Sequence, residues 1–167
     1  PECGHAYMAI RWDGPNLVGK PFSFKVRHIL EVLDELREQG RLKLKDKETQ
    51  RLTYHDPCQI SRRGGVIEQP RNLLGMVAEN FVEMPDSGKM NWCCGAGGGV
   101  SSNERADDLR LKVFARKKAQ LDAIQVDGIV SACSNCRIHL EEGLEEYHME
   151  IPLFSLTETI AEHLAEE

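Results

Sequence analysis

Five of the six cysteines in this 167-residue chain fall into one pattern: Cys58, then the adjacent pair Cys93 and Cys94 followed by Gly95, then Cys133 and Cys136 in a CxxC spacing. The stretches between these clusters are each about one strand–helix unit long. Thiols so spaced converge only if three strand-to-helix turns meet at one end of a sheet, which predicts an α/β fold with cysteines at the carboxyl ends of its strands. An adjacent pair suits one tetrahedral zinc poorly, because zinc ligands normally arrive as spaced pairs. It suits a polynuclear centre better, since several irons a few ångströms apart offer each neighbouring sulfur its own metal. Five thiolates also exceed the four that a standard cubane uses, and the surplus one could bridge two irons or stay beside the cluster for chemistry.

Apolar periodicity supplies the elements that carry these cysteines. Val26, Ile29, Leu30, Leu33 and Leu36 recur at helical spacing, predicting an amphipathic helix over 24–39 that Gly40 stops. A charged connector over 41–50 leads to a strand over 51–55, whose end delivers Asp56-Pro57-Cys58 to a loop. A helix over 70–78, with Pro70 in its first turn, and a short strand over 81–84 precede the Cys-Cys-Gly loop. A long helix over 101–124 is expected next, with Leu109, Val113, Phe114, Leu121 and Ile124 inward and Ser101 with Glu104 as its capping box. A buried strand over 128–132 ends at Cys133, Cys136 falls on the first turn of the following helix, and 151–154 and 156–164 give a last strand and helix. The alternation predicts a parallel four-stranded sheet flanked by helices.

Composition narrows the function. With 41% hydrophobic residues the chain can bury one ordinary core, and a net charge of -6 with both signs interspersed argues against a nucleic-acid surface. No signal peptide and no apolar run near the length of a membrane span are present. Cysteines in such a chain point to a reducing, cytoplasmic compartment, where thiols serve metals or redox chemistry rather than structural bridges. The chain opens at Pro1, so further sequence upstream is expected.

The run Gly95-Ala96-Gly97-Gly98-Gly99 resembles a dinucleotide loop, but Val100 stands where the third glycine of that fingerprint belongs. Gly95, Gly97 and Gly98 are instead expected to hold a cofactor by bringing backbone N–H groups against cluster sulfurs, with the next helix N-terminus adding positive potential. His55 and His5 each lie near a cysteine and could hydrogen-bond a sulfur or donate a proton to a leaving thiolate. Asp56 is read as an Asx turn with Pro57, Trp92 as a shield against water, and Arg62 and Arg63 as the cations nearest Cys58. His28, His139, His148 and His163 read as helix-surface residues. For Cys133 and Cys136 alone, a redox dithiol or a structural zinc site is the rival.

Three segments, Tyr54-His55-Asp56-Pro57-Cys58, Asn91-Trp92-Cys93-Cys94-Gly95-Ala96-Gly97-Gly98-Gly99 and Ala132-Cys133-Ser134-Asn135-Cys136, together resemble the cysteine-rich CCG domain of heterodisulfide reductases and their relatives. Within that family the chain is similar to the catalytic iron–sulfur subunit of the Dsr membrane complex of sulfur metabolism and to the heterodisulfide reductase D subunit of methanogens. The resemblance implies a noncubane [4Fe-4S] cluster held by Cys58, Cys93, Cys94, Cys133 and Cys136, with Cys58, Cys93, Cys94 and His55 as the catalytic set. It implies two-electron cleavage of a sulfur–sulfur bond, either a trisulfide on the small protein DsrC or the coenzyme M–coenzyme B heterodisulfide. It also implies a haem-containing, quinone-interacting membrane subunit as partner and a place on the inner face of the membrane. A pure electron relay and a structural zinc module are the alternatives.

A faint internal repeat aligns Pro21-Phe22-Ser23 with Pro152-Leu153-Phe154-Ser155, which sets Pro1-Glu2-Cys3-Gly4-His5-Ala6 against the CxxC region and Ala6 against Cys136. On this reading residues 1–45 close a degenerate first CCG repeat and 46–167 form a complete second one. Cys3 is then a remnant, structural or facing the cluster.

Overall fold

The computed structural model describes residues 4–97 and 99–165. Four strands, β1 (Glu48–His55), β2 (Ala78–Val82), β3 (Gly128–Ser131) and β4 (Leu153–Ser155), form one sheet in the order β2-β1-β3-β4, with all pairs parallel. The four-stranded parallel sheet expected from the sequence is therefore present, and helices cover both faces. Near the amino terminus a π-helical turn (Ala9–Asp13) joins α1 (Gly4–Met8) to α2 (Gly14–Leu17), and α3 (Ile29–Glu38) follows. Then come α4 (Glu68–Val77), α5 (Asp107–Ile124), α6 (Ser134–Glu146) and α7 (Leu156–Glu162).

A parallel sheet buries both faces, so its central strands need not alternate between apolar and polar residues. Leu52 and Tyr54 of β1 join a core with Leu30, Leu73, Leu74 and Leu156 from α3, α4 and α7. Ile129 of β3 joins the opposite core with Phe114, Leu121 and Leu140 from α5 and α6. Strands β1 and β3 are neighbours whose connections leave in opposite directions, β1 to β2 and β3 to β4. In open α/β sheets the crevice beyond the carboxyl ends of two such strands is where ligands bind. Here His55 at the end of β1 pairs with Ser131 at the end of β3, and the cysteine loops begin directly beyond.

Several local expectations change. Helix α3 starts at Ile29 because His28 caps it: Leu30 N–H donates to His28 Nδ1 at 3.3 Å, and His28 N–H donates to Glu31 Oε2 at 2.7 Å. His28 is fully buried, edge-on to Tyr7 at 5.6 Å, and His139 and His163 are buried too, so three of the four histidines read as surface residues are interior. His148 is exposed, in a turn with φ of 51°. The Ser101–Glu104 capping box does not form. Two 3-10 turns (Val100–Ser102 and Glu104–Ala106) precede α5, and Asn103 Oδ1 accepts from Arg105 N–H at 3.2 Å. Leu109 is exposed rather than inward. At 3.6 residues per turn it falls about 80° from Lys117, the centre of the buried stripe formed with Phe114, Gln120 and Leu121. Pro21–Ser23, the earlier member of the proposed repeat, lies in no strand, whereas Leu153–Ser155 is β4.

Candidate metal centre

Beyond β1 the chain enters Asp56-Pro57-Cys58 and a π-helical turn (Gln59–Arg63). Asp56 does not make the expected Asx turn; it is a buried brace. Arg71 Nη1 and Nη2 donate to its two carboxylate oxygens at 3.0 and 2.9 Å, and Gly88 N–H donates to Oδ2 at 2.7 Å. The Asn91 side chain donates to the Asp56 carbonyl, and Arg62 donates to the Asn91 carbonyl. The loop that carries Cys58 is thus tied to the loop that carries Cys93 and Cys94.

Gly95 has φ of +93°, and a Cβ there would lie 3.3 Å from Val113 Cγ1, so both backbone and space call for glycine. Its N–H donates to Cys93 Sγ at 3.3 Å, and the Ala96 N–H is directed to Cys94. Backbone N–H groups thus meet cysteine sulfurs at Gly95 and Ala96. Gly97 lines the site, while Gly98 and Cys3 lie outside the described residues. The helix whose N-terminus meets the cysteines is α6 rather than α5, because the two 3-10 turns carry α5 away from the loop. Cys133 is the N-cap residue of α6 and Cys136 lies in its first turn.

The three loops bring the five cysteines together. Cys94 and Cys136 sulfurs are 3.2 Å apart, and all five thiols line one cavity of about 20 Å³ with Gly4, His5 and Asn135. Their protonation is shared. The thiols of Cys58 and Cys94 bond to Cys93 and, with the Gly95 N–H, hold it down at about 2, so Cys93 carries the negative charge. Cys94 is drawn down by Cys136 but pushed up to about 12 by Cys93 and by burial. Bonding to Cys93 and burial raise Cys58, and bonding to Cys133 and Cys94 raises Cys136.

His55 faces the same set from β1. Its ring nitrogens have no hydrogen-bond partner, and one lies with the Cys94 and Cys136 sulfurs in a group whose members are within 4.8 Å of one another. Burial, with Lys117 nearby, lowers it to about 3, so the ring is neutral. His5 is exposed at the rim of the cavity. Trp92 is half-buried, its Nε1–H donates to Val113 O at 2.9 Å and Arg116 lies over its ring at 4.2 Å, which closes that side of the Cys-Cys-Gly loop. Arg63 is exposed and bonded to Gln59.

Sequence reasoning missed the Asp56–Arg71 brace and Lys117. The second had a readable signal, a lysine on the same helical face as Phe114 and Leu121; the first, spanning fifteen residues of chain, had none. As a donor set, five convergent cysteine sulfurs with one already anionic fit an iron–sulfur cluster, which thiolates hold and N–H···S bonds tune.

The family described as "CCG: Cysteine-rich domain" matches residues 52–141. Over 99% of its length the chain is 32% identical to the D subunit of the dihydromethanophenazine:CoB–CoM heterodisulfide reductase of Methanosarcina mazei, of which it covers 40%. It is 31% identical to "EtfAB:quinone oxidoreductase" of Syntrophomonas wolfei over 86% of the chain and 20% of that protein. It is also 31% identical to "Probable iron-sulfur-binding oxidoreductase FadF" of Bacillus subtilis, over 95% of the chain and 22% of that protein. The chain thus spans well under half the length of these relatives. Their names and the cysteine set together support an iron–sulfur redox role.

Proposed function

The chain belongs to the CCG family of cysteine-rich domains, and we propose that it is the catalytic iron–sulfur domain of a heterodisulfide reductase-like subunit. The observation that carries this reading is the meeting of Cys58, Cys93, Cys94, Cys133 and Cys136 in one cavity, Cys58 and Cys133 just beyond the carboxyl ends of β1 and β3 and Cys93 and Cys94 on the long loop after β2. These five would hold a noncubane [4Fe-4S] cluster, which supplies one-electron steps and sites for substrate sulfur. The reaction is reduction of a sulfur–sulfur bond: the bond breaks as two electrons and two protons enter, giving two thiols from a heterodisulfide or a thiol and a persulfide from a trisulfide, or the reverse. A coenzyme heterodisulfide and a trisulfide on a small protein such as DsrC are the substrate classes.

The chain's own residues give this site its shape and polarity. Gly95 and Ala96 N–H groups stabilise negative charge on sulfur, and Trp92 excludes water. Neutral His55 offers one N–H to a sulfur and one lone pair to a proton. Residues 46–167 form the complete CCG repeat and 1–45 close a degenerate one, with Gly4 packed on Ile60 beside the site. Electrons pass between the domain and a haem-containing, quinone-interacting membrane subunit. Among the described residues no helix is long and apolar enough to cross a membrane, in keeping with attachment to the inner face through that partner.

The test is EPR of the oxidised, anaerobically purified protein with and without added thiol, beside viologen-coupled reduction of the heterodisulfide. A thiol-dependent change in signal with turnover supports catalysis at this centre. An unchanged signal without turnover leaves an electron relay. A structural zinc site is the second reading, favoured by His55, Cys94 and Cys136 meeting as a Cys/His donor group.

A further inference from the structure

The inward stripe of α5 is centred on a cation. Lys117 is 1% exposed, and among the described residues no other lysine or arginine is buried. It lies one turn beyond Val113, which packs against Gly95 and whose carbonyl holds Trp92, so it is on the face of α5 that backs the Cys-Cys-Gly loop. Its Nζ meets Gln120 Oε1 at 3.3 Å and the soft Met84 Sδ at 3.4 Å. Asp86, the carboxylate nearest in effect, is engaged by Arg116 Nη2 at 2.9 Å and Gln120 Nε2 at 2.5 Å. A buried ammonium with such partners is costly unless a further negative charge faces it. Met84 shares one buried cluster with Cys94, and Cys93 packs against it, so the centre these two cysteines would hold lies on that side and would supply the charge; burial lowers Lys117 to about 8, against the pull of Asp86 first among its neighbours.

We infer that Lys117 is the internal counter-cation of the cysteine centre, offsetting the charge of Cys93, Cys94 and the group they hold, and thereby setting how readily that group accepts an electron. This rests on the iron–sulfur reading above. Each electron added to the centre adds negative charge in a poorly screened interior, so a fixed cation there favours the reduced state. Lys117 touches no substrate on this view; it acts through the cluster's surroundings.

The test compares anaerobically purified wild type, Lys117→Met and Lys117→Arg by iron content and by dye-mediated potentiometric titration followed by EPR. Lys117→Met is expected to keep its iron and to shift the midpoint at least 59 mV more negative, a tenfold change in the one-electron ratio, while Lys117→Arg stays near wild type. Full iron with an unmoved midpoint in Lys117→Met overturns the inference and leaves the iron–sulfur reading intact. A second readout needs no electron transfer. Lys117→Met is expected to speed iron loss to a chelator, and Lys117→Arg to hold iron as wild type does. Iron loss from Lys117→Met at the wild-type rate overturns the inference, because the lysine is then structural only. Wild type without iron overturns both readings.

Discussion

Replacing Arg71 by methionine tests how the site is braced. The Asp56 side chain is 1% exposed and Arg71 holds it with two parallel bonds, while the same guanidinium reaches Glu83, whose side chain is 41% exposed. Arg71→Met leaves a buried carboxylate with the Gly88 N–H as its remaining donor, a loss of about 3–5 kcal/mol by comparison with other broken buried pairs. Glu83→Ala removes the exposed half and is expected to cost about 0–1 kcal/mol. In a chain of this size each kcal/mol moves Tm by about 2–4 °C, so Arg71→Met should melt about 6–20 °C lower. Replacing both partners, Asp56→Leu with Arg71→Met, should recover much of the loss, since the charge left buried is gone. Urea denaturation of the metal-free protein followed by circular dichroism measures all three variants against wild type. Arg71→Met within 1 kcal/mol of Glu83→Ala would refute the reasoning, because the buried pair would then be worth no more than a surface one. Asp56 lies two residues from Cys58, and its carbonyl takes the Asn91 amide two residues before Cys93. The same variant should therefore also lose iron faster.

Three further outcomes are expected. Gly143→Ala should destabilise by about 1–3 kcal/mol despite alanine's helix preference, because its Cβ would overlap the Phe114 ring; a urea midpoint at or above wild type would contradict this. Asn103→Ala should cost about 1 kcal/mol and Ser101→Ala nearly nothing, since only Asn103 caps a backbone N–H; equal losses in denaturation would restore the Ser101 capping box. The metal-free protein should lose stability as pH rises beyond the thiol range. Cys58, Cys94 and Cys136 are raised in the fold, so what they contribute is complete below the unfolded thiol value of about 8.5 and is lost above it. Cys93 and Lys117 are lowered and contribute in the opposite sense, which offsets at most two of the three. A urea midpoint that holds or rises between pH 8.5 and pH 10.5 would count against the shared-proton arrangement.

What was legible in the sequence was whatever depends on spacing along the chain. The strand ends before Cys58 and Cys133 were readable because Leu52 and Tyr54 alternate with polar residues in β1 and β3 is a short buried run, each ending two or three residues before its cysteine, and parallel pairing then fixes which ends meet. Element boundaries shifted where a polar side chain decided them: His28 starts α3, and Asn103 caps the second of the two turns that precede α5. The buried histidines were misread because position on a helix does not reveal a partner from elsewhere, such as Tyr7 against His28. Leu109 was misplaced by hydrophobicity alone; helical phase puts Arg110 nearer the buried face. The Asp56–Arg71–Glu83 brace joins a loop, a helix and the end of β2, and no local pattern announces such a contact.

Iron, acid-labile sulfide and zinc, measured together with the visible spectrum on protein purified without oxygen, bear most directly on the nature of this site. The expected result is brown protein with iron and sulfide in matching amounts, about four of each for a [4Fe-4S] centre, and little zinc. Colourless protein with about one zinc, held through groups such as His55, Cys94 and Cys136, would contradict it and leave a structural metal site in place of a redox centre.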